Sequence, residues 1–175
     1  MPLLPSGRVA FVFTDIEAST ALLTALGTAT FHAVLDDHDR ILRTCFEARG
    51  GVEVKSEGDG LFVAFPDAAD AVLACCEAQA ALAGHTFPHG GPVRVRMGVQ
   101  VGDARPRGHD YIALPVNQAA RVMSSAHGGQ VLVTDETAAA CDGRVDLMEL
   151  GLFVVRDFAR PETLRQAVLA GRPQP

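Results

Sequence analysis

Residues 56–60, SEGDG, lie between two short strand-like runs, residues 52–55 and 61–65, and commit the chain to an antiparallel hairpin. Gly-Asp-Gly supplies the backbone conformations of a tight reversal, and the β-branched and aromatic residues on either side favour extended chain. A hairpin alone is marginal in water, so its apolar face needs a covering layer. The flanking sequence supplies helices for it. Residues 8–13 (RVAFVF) read as a buried strand, Ser19 opens a helix whose apolar face runs over 20–26, and residues 31–49 repeat apolar positions at helical spacing until Gly50-Gly51 ends the run. After the hairpin, Pro66 and Asp67 open an alanine-rich helix ending at Gly84, and the Pro-, Gly- and His-rich stretch 85–92 is a surface connection. Residues 93–101 alternate as a strand does, 114–126 are helical up to Gly128-Gly129, and 130–134 form another strand. A short helix near Glu136 and strand-like runs at 147–155 and 163–169 complete the pattern.

This order predicts an α+β fold: a ferredoxin-like, βαββαβ-type sandwich with extra C-terminal strands, its helices covering one face of a mostly antiparallel sheet. No repeat, low-complexity tract or linker divides the 175 residues, so one domain over 1–175, with a core at about 8–169, is expected.

Composition narrows the function. The chain is 48% apolar and 21% charged, which is globular, and no apolar stretch nears the roughly 18–20 residues of a membrane-spanning helix. MPLLPSGRVAFVF lacks the charged leader, long apolar segment and cleavage site of a signal peptide, so a cytoplasmic protein without membrane contact is expected. Cys45, Cys75, Cys76 and Cys141 show no metal-ligand spacing and read as reduced packing thiols. A net charge of −6 argues against nucleic acid as a partner, while a small anionic ligand carrying its own cations stays compatible.

The acids near strand ends carry the chemical signal. Asp15 follows the first strand and Asp59 sits in the hairpin turn, so both are expected on loops beside central strands. Paired carboxylates without a Cys or His ligand suit a hard cation, Mg²⁺ or Mn²⁺, rather than zinc. Each also has a local explanation: Asp59 satisfies a turn, and Asp15 or Glu17 caps the following helix.

Four strings in order, FTDIEAST, VKSEGDGLFVAF, DYIALPVNQAARV and GGQVLVT, with the C-terminal pattern GLFVVRDFARPETLRQAV, resemble the class III nucleotide cyclase catalytic domain, the adenylate and guanylate cyclase homology domain. The resemblance runs from about residue 8 to 169. It implies that Asp15 and Asp59, with the backbone carbonyl of Ile16, hold two Mg²⁺ or Mn²⁺ ions per active site, and that Glu17 does not. It implies that Lys55 and Asp110 select adenine, Lys55 donating to ring N1 and Asp110 accepting from the exocyclic amine. Guanine reverses both groups, so ATP is favoured over GTP. Asn117 and Arg121, one helical turn apart, match the pair that orients the ribose and meets charge at the α-phosphate. Arg96 resembles the arginine on the terminal phosphates, and Arg156 sits where a basic residue is frequent.

The implied reaction is in-line attack of the ribose 3′-oxygen on the α-phosphorus of ATP, giving 3′,5′-cyclic AMP and pyrophosphate. The family implies a homodimer with two shared sites, Asp15, Asp59 and Arg96 of one chain facing Lys55, Asp110, Asn117, Arg121 and Arg156 of the other. Ala18 and Ala113 replace frequent glycines, and Gln100 a frequent histidine. The alternatives are a catalytically weak nucleotide-binding interaction module on the same fold, and a guanylate cyclase. No Walker-type loop is present.

Overall fold

The computed structural model describes residues 1–169; positions 170–175 of the expected domain lie outside the described residues. Chain order is β1 (Gly7–Ile16), α1 (Ser19–Leu26), α2 (Thr28–Ala48), β2 (Val52–Glu57), β3 (Gly60–Phe65), α3 (Ala68–Gly84), β4 (Val95–Ala104), β5 (Pro106–Arg107), β6 (Asp110–Tyr111), α4 (Leu114–Ser124), β7 (Val131–Thr134), α5 (Asp135–Ala140), β8 (Leu147–Phe153) and β9 (Glu162–Ala167). The α+β class and the mostly antiparallel sheet are as expected. Seven strands form one sheet in the order β2-β3-β1-β4-β7-β9-β8, with β4 and β7 parallel and every other pairing antiparallel.

The SEGDG hairpin pairs Ser56 with Leu61 and Glu57 with Gly60, leaving Gly58-Asp59 as the turn. Gly58 takes the left-handed conformation at φ 58°, which glycine adopts without a Cβ clash. Strand β1 lies in the middle of the sheet between β3 and β4, and its side chains point alternately to two buried faces. Ala10, Val12 and Ile16 pack with α2 and α3 residues such as Val34, Leu42, Phe46, Val72 and Cys75. Val9 and Phe11 pack on the opposite face with Phe62, Tyr111 and Ala119 of α4. The expectation that helices cover one face alone is therefore corrected: α4 covers part of the other, which explains why β1 and β3 read as continuous apolar runs.

The helix ends follow local chemistry. Asp67 caps α3 by accepting the Asp70 N–H at 2.8 Å. Neither Asp15 nor Glu17 caps α1, whose N-cap is Ala18 with no side-chain bond. All four cysteines are free. Among the described residues, no helix is long and apolar enough to cross a membrane.

Candidate active site

Asp15 and Asp59 meet at the C-terminal end of β1. Asp15 lies within that strand, opposite Arg96 of β4, not on a loop past it, because β4 continues pairing through Ile16 and Val95. The Arg96 guanidinium grips the Asp15 carboxylate with both arms, Nε donating to Oδ1 at 2.6 Å and Nη2 to Oδ2. That hydrogen bond is the chief reason the Arg96 pKa is raised, while partial burial opposes it. Asp59 reaches back from the turn, and its Oδ2 accepts the Ile16 N–H at 2.6 Å. The turn is thus stitched to the strand that carries the other acid. Asp15, Glu57, Asp59 and Lys55 share a cavity of about 250 Å³, floored by Phe13 and Phe62 and bordered by Met123 of α4.

Lys55 and Asp110 form a pair, Nζ donating to Oδ2 at 2.9 Å. This hydrogen bond is the largest influence raising the Lys55 pKa and lowering that of Asp110. The Asp110 carboxylate also accepts the Tyr111 N–H at 2.7 Å, and the buried Tyr111 ring sits edge-on to Phe11 while its hydroxyl donates to the Pro5 carbonyl at 2.6 Å. Burial pushes the Tyr111 hydroxyl up to about 12. Asp110 is therefore tied to the core through its neighbour. The small β5–β6 hairpin that presents it escaped the sequence reading, although Gly108, at φ 63°, is its turn signal.

Helix α4 carries Asn117, which is exposed, and Arg121, which is half-buried. Two glycines let the helix lie directly on β4. A Cβ on Gly98 would stand 2.2 Å from the Met123 nitrogen, and one on Gly102 2.1 Å from Pro115 Cγ. The Arg121 Nε donates to Asp157 Oδ2 at 2.8 Å. Arg156, beside it, is exposed on the turn after β8. None of Asn117, Arg121 and Arg156 lines the cavity of the two acids.

Two further residues matter here. Glu17 accepts the Gly128 N–H at 3.1 Å, so in place of capping α1 it ties the end of β1 to the turn before β7. Asp157 gave no sequence signal, because its partner on α4 is distant in the chain. His38 and His109 do not join the site: the His38 ring is fully buried in α2, and His109 Nε2 contacts the Glu53 carbonyl at 3.1 Å.

Among the described residues, no group of three or more His, Cys, Asp or Glu side chains is arranged to hold a metal ion. The two aspartates offer only oxygen donors, a set that fits a hard divalent cation and not a thiophilic one. Full use of Asp15 requires one arm of Arg96 to yield.

The family model for the adenylate and guanylate cyclase catalytic domain matches residues 2–162. An adenylate cyclase of Mycosarcoma maydis is 34% identical over 166 residues, covering 79% of this chain and 6% of that protein. An uncharacterized protein of Mycobacterium tuberculosis is 31% identical over 173 residues, 93% of this chain and 56% of the relative. The chain thus spans a small fraction of the fungal enzyme and about half of the mycobacterial protein. Among solved structures, an adenylate cyclase of Trypanosoma brucei in its monomeric state superposes with a TM-score of 0.88 at 25% identity, covering 99% of this chain and 94% of that one. The guanylate cyclase domain from Catenaria anguillulae in complex with GTP has the same fold, with a TM-score of 0.84 at 19% identity over 93% and 97% of the two chains. The chain belongs to the family of adenylate and guanylate cyclase catalytic domains.

Proposed function

We propose that this chain is an adenylate cyclase, converting ATP to 3′,5′-cyclic AMP and pyrophosphate. The observation that carries this reading is the hydrogen bond of Lys55 to Asp110, which sets a donor and an acceptor side by side at the edge of the cavity that Lys55 lines. A donor and an acceptor held 2.9 Å apart match adenine, whose N1 accepts and whose amine donates. Guanine would leave both unmatched, and a site with unpaired polar groups rejects the wrong base.

Asp15, Asp59 and the Ile16 carbonyl are the residues that would hold two Mg²⁺ or Mn²⁺ ions, which when bound would lower the pKa of the 3′-hydroxyl and neutralise the leaving pyrophosphate. Arg96, beside Asp15, is placed to bind the terminal phosphates once released from it, and Arg156 adds a second cation from the β8–β9 turn. Asn117 orients the ribose, and Arg121 stabilises charge on the α-phosphate as the 3′-oxygen attacks and pyrophosphate departs.

Because Asn117, Arg121 and Arg156 lie outside the acid-lined cavity, a homodimer that brings α4 of one chain to the acids of its partner supplies a complete site. The test is incubation of purified chain with ATP or GTP and Mg²⁺ or Mn²⁺, followed by chromatography of the nucleotides. Cyclic AMP from ATP supports the reading; cyclic GMP as the main product overturns it. Mixing inactive Asp59→Ala and Asn117→Ala chains tests the shared site, which predicts partial recovery after subunit exchange.

The two-armed Arg96–Asp15 pair favours one second reading, a nucleotide-binding module with weak turnover, because that pair opposes cation entry. Binding of a non-hydrolysable ATP analogue with Mn²⁺, measured by calorimetry, without cyclic product would select it.

A further inference from the structure

The turn after β8 does more than present Arg156. Asp157 adopts the left-handed conformation at φ 69°, which costs a non-glycine residue steric strain. That conformation lets two of its groups face α4 together. Its carboxylate accepts from Arg121 Nε at 2.8 Å, and its backbone carbonyl accepts from Gln118 Nε2 at 3.3 Å. Gln118 is in turn reached from the interior: Gln100 of β4, 1% exposed, points Nε2 toward Gln118 Oε1 at 3.4 Å and Glu136 Oε2 at 3.2 Å. The Gln100 carbonyl oxygen is fixed by the hydroxyls of Thr134 and Thr137, both fully buried. A polar chain thus runs from the core through Gln100, Gln118 and Asp157 to Arg121.

We infer that Asp157 is a positioning residue for Arg121, holding its Nε edge so that the remaining N–H groups point away from the turn toward a phosphate. An arginine held on one edge by a carboxylate keeps its charge and its other donors, and loses the side-chain freedom that would otherwise be spent when phosphate binds. Pairing with Asp157 is therefore compatible with action on substrate. This inference rests on the proposed role of Arg121 at the α-phosphate.

The experiment compares steady-state ATP cyclisation by the full chain with that of Asp157→Asn, Asp157→Gly, Asp157→Glu, Arg121→Ala and the double variant Asp157→Asn/Arg121→Ala. Asp157→Gly accepts the same left-handed turn and removes only the carboxylate, so it separates aiming from folding. Asp157→Asn and Asp157→Gly are each expected to lower kcat about tenfold with KM within about twofold and without a fall in melting temperature, as for loss of an interaction made mainly in the transition state. Asp157→Glu restores part of kcat. In the Arg121→Ala background, Asp157→Asn adds less than about twofold, because two residues acting as a unit are not additive. Glu77→Gln, which removes an exposed carboxylate from the distant Arg49 pair, serves as the control and leaves kcat in place.

A rise in kcat on removing the Asp157 carboxylate, or equal losses with and without Arg121, overturns the inference. Full kcat in Asp157→Gly does so too. If Arg121→Ala itself retains full turnover, the proposed role of Arg121 fails, and the inference with it. If Arg121→Ala costs about a hundredfold while the Asp157 variants cost nothing, the inference alone falls. A full chain that makes no cyclic nucleotide removes both.

Discussion

Lys55 and Asp110 meet at 2.9 Å although 55 residues separate them, one on the edge strand β2 and the other on the two-residue strand β6. Each holds the other ionised. Asp110 is kept below the usual 3.8 and Lys55 above the usual 10.5, in both cases chiefly by their shared hydrogen bond. The acid's contribution is present above the unfolded carboxylate pKa and is lost as pH falls through the lowered value. The lysine's is present below its unfolded pKa and is lost as pH rises through the raised one. Both limits lie outside pH 5–9, so the ratio of ATP to GTP turnover is expected to stay flat across that range. Asp110→Asn is expected to lower the ratio about tenfold. The two side chains are 47% and 42% exposed, so the substitution moves the melting temperature by less than about 2 °C. Paired assays on the two nucleotides and a thermal melt check all three outcomes.

Ala18 sits at φ 55°, ψ 39° between the strand bearing Asp15 and helix α1. Its methyl group pays the left-handed penalty, of order 1–2 kcal/mol, that glycine avoids. Ala18→Gly is expected to raise the melting temperature by about 2–4 °C for a chain of this size, read by calorimetry. Ala113, the other position where the family frequently has glycine, is extended at φ −155° and carries no such strain, so Ala113→Gly brings no comparable gain.

Gly98 is where α4 touches the sheet, and an added Cβ would meet the Met123 backbone at 2.2 and 2.6 Å. Backbone cannot swing aside as a side chain does, so Gly98→Ala must push the helix outward. Overpacking of this kind costs about 1–3 kcal/mol. It also moves Asn117 and Arg121 on the same helix, so a loss of cyclase turnover beyond the loss of folded protein is expected. Circular dichroism melts and kcat per folded molecule separate the two effects.

Burial pushes the thiols of Cys76 and Cys141 up to about 11 and raises that of the fully buried Cys75 well above the usual 9.0. At pH 8 only about one in a thousand such groups with pKa near 11 is the reactive thiolate. These three are expected to react slowly with a disulfide reagent in the native protein and at once in denaturant, and reducing agents are expected to leave nucleotide binding unchanged. Timed thiol titration reads this directly.

Much of the framework was legible because local rules and tertiary packing agree. The SEGDG reversal, the Gly50-Gly51 stop and the Asp67 cap each follow from backbone chemistry that needs no distant partner. Boundaries moved where pairing decided them: β1 continues through Asp15 and Ile16 because Arg96 and Val95 lie opposite. The sharing of one cavity by Lys55 and the two acids, the grip of Arg96 on Asp15 and the Asp157–Arg121 contact arise from chain crossings that no period or motif spacing encodes. Gln100 shows the same limit: a polar residue in a buried strand is unreadable until Thr134 and Thr137 supply its partners.

The placement of β2 at the margin of the sheet has an evolutionary corollary. Lys55 projects from the outermost strand and Asp110 from a short flap, whereas α4 is pressed against the central strand β4 through bare glycines. Positions 55 and 110 are therefore sterically freer to change than Gly98 and Gly102, so under the proposed function nucleotide preference is a more readily remodelled trait than the seating of α4.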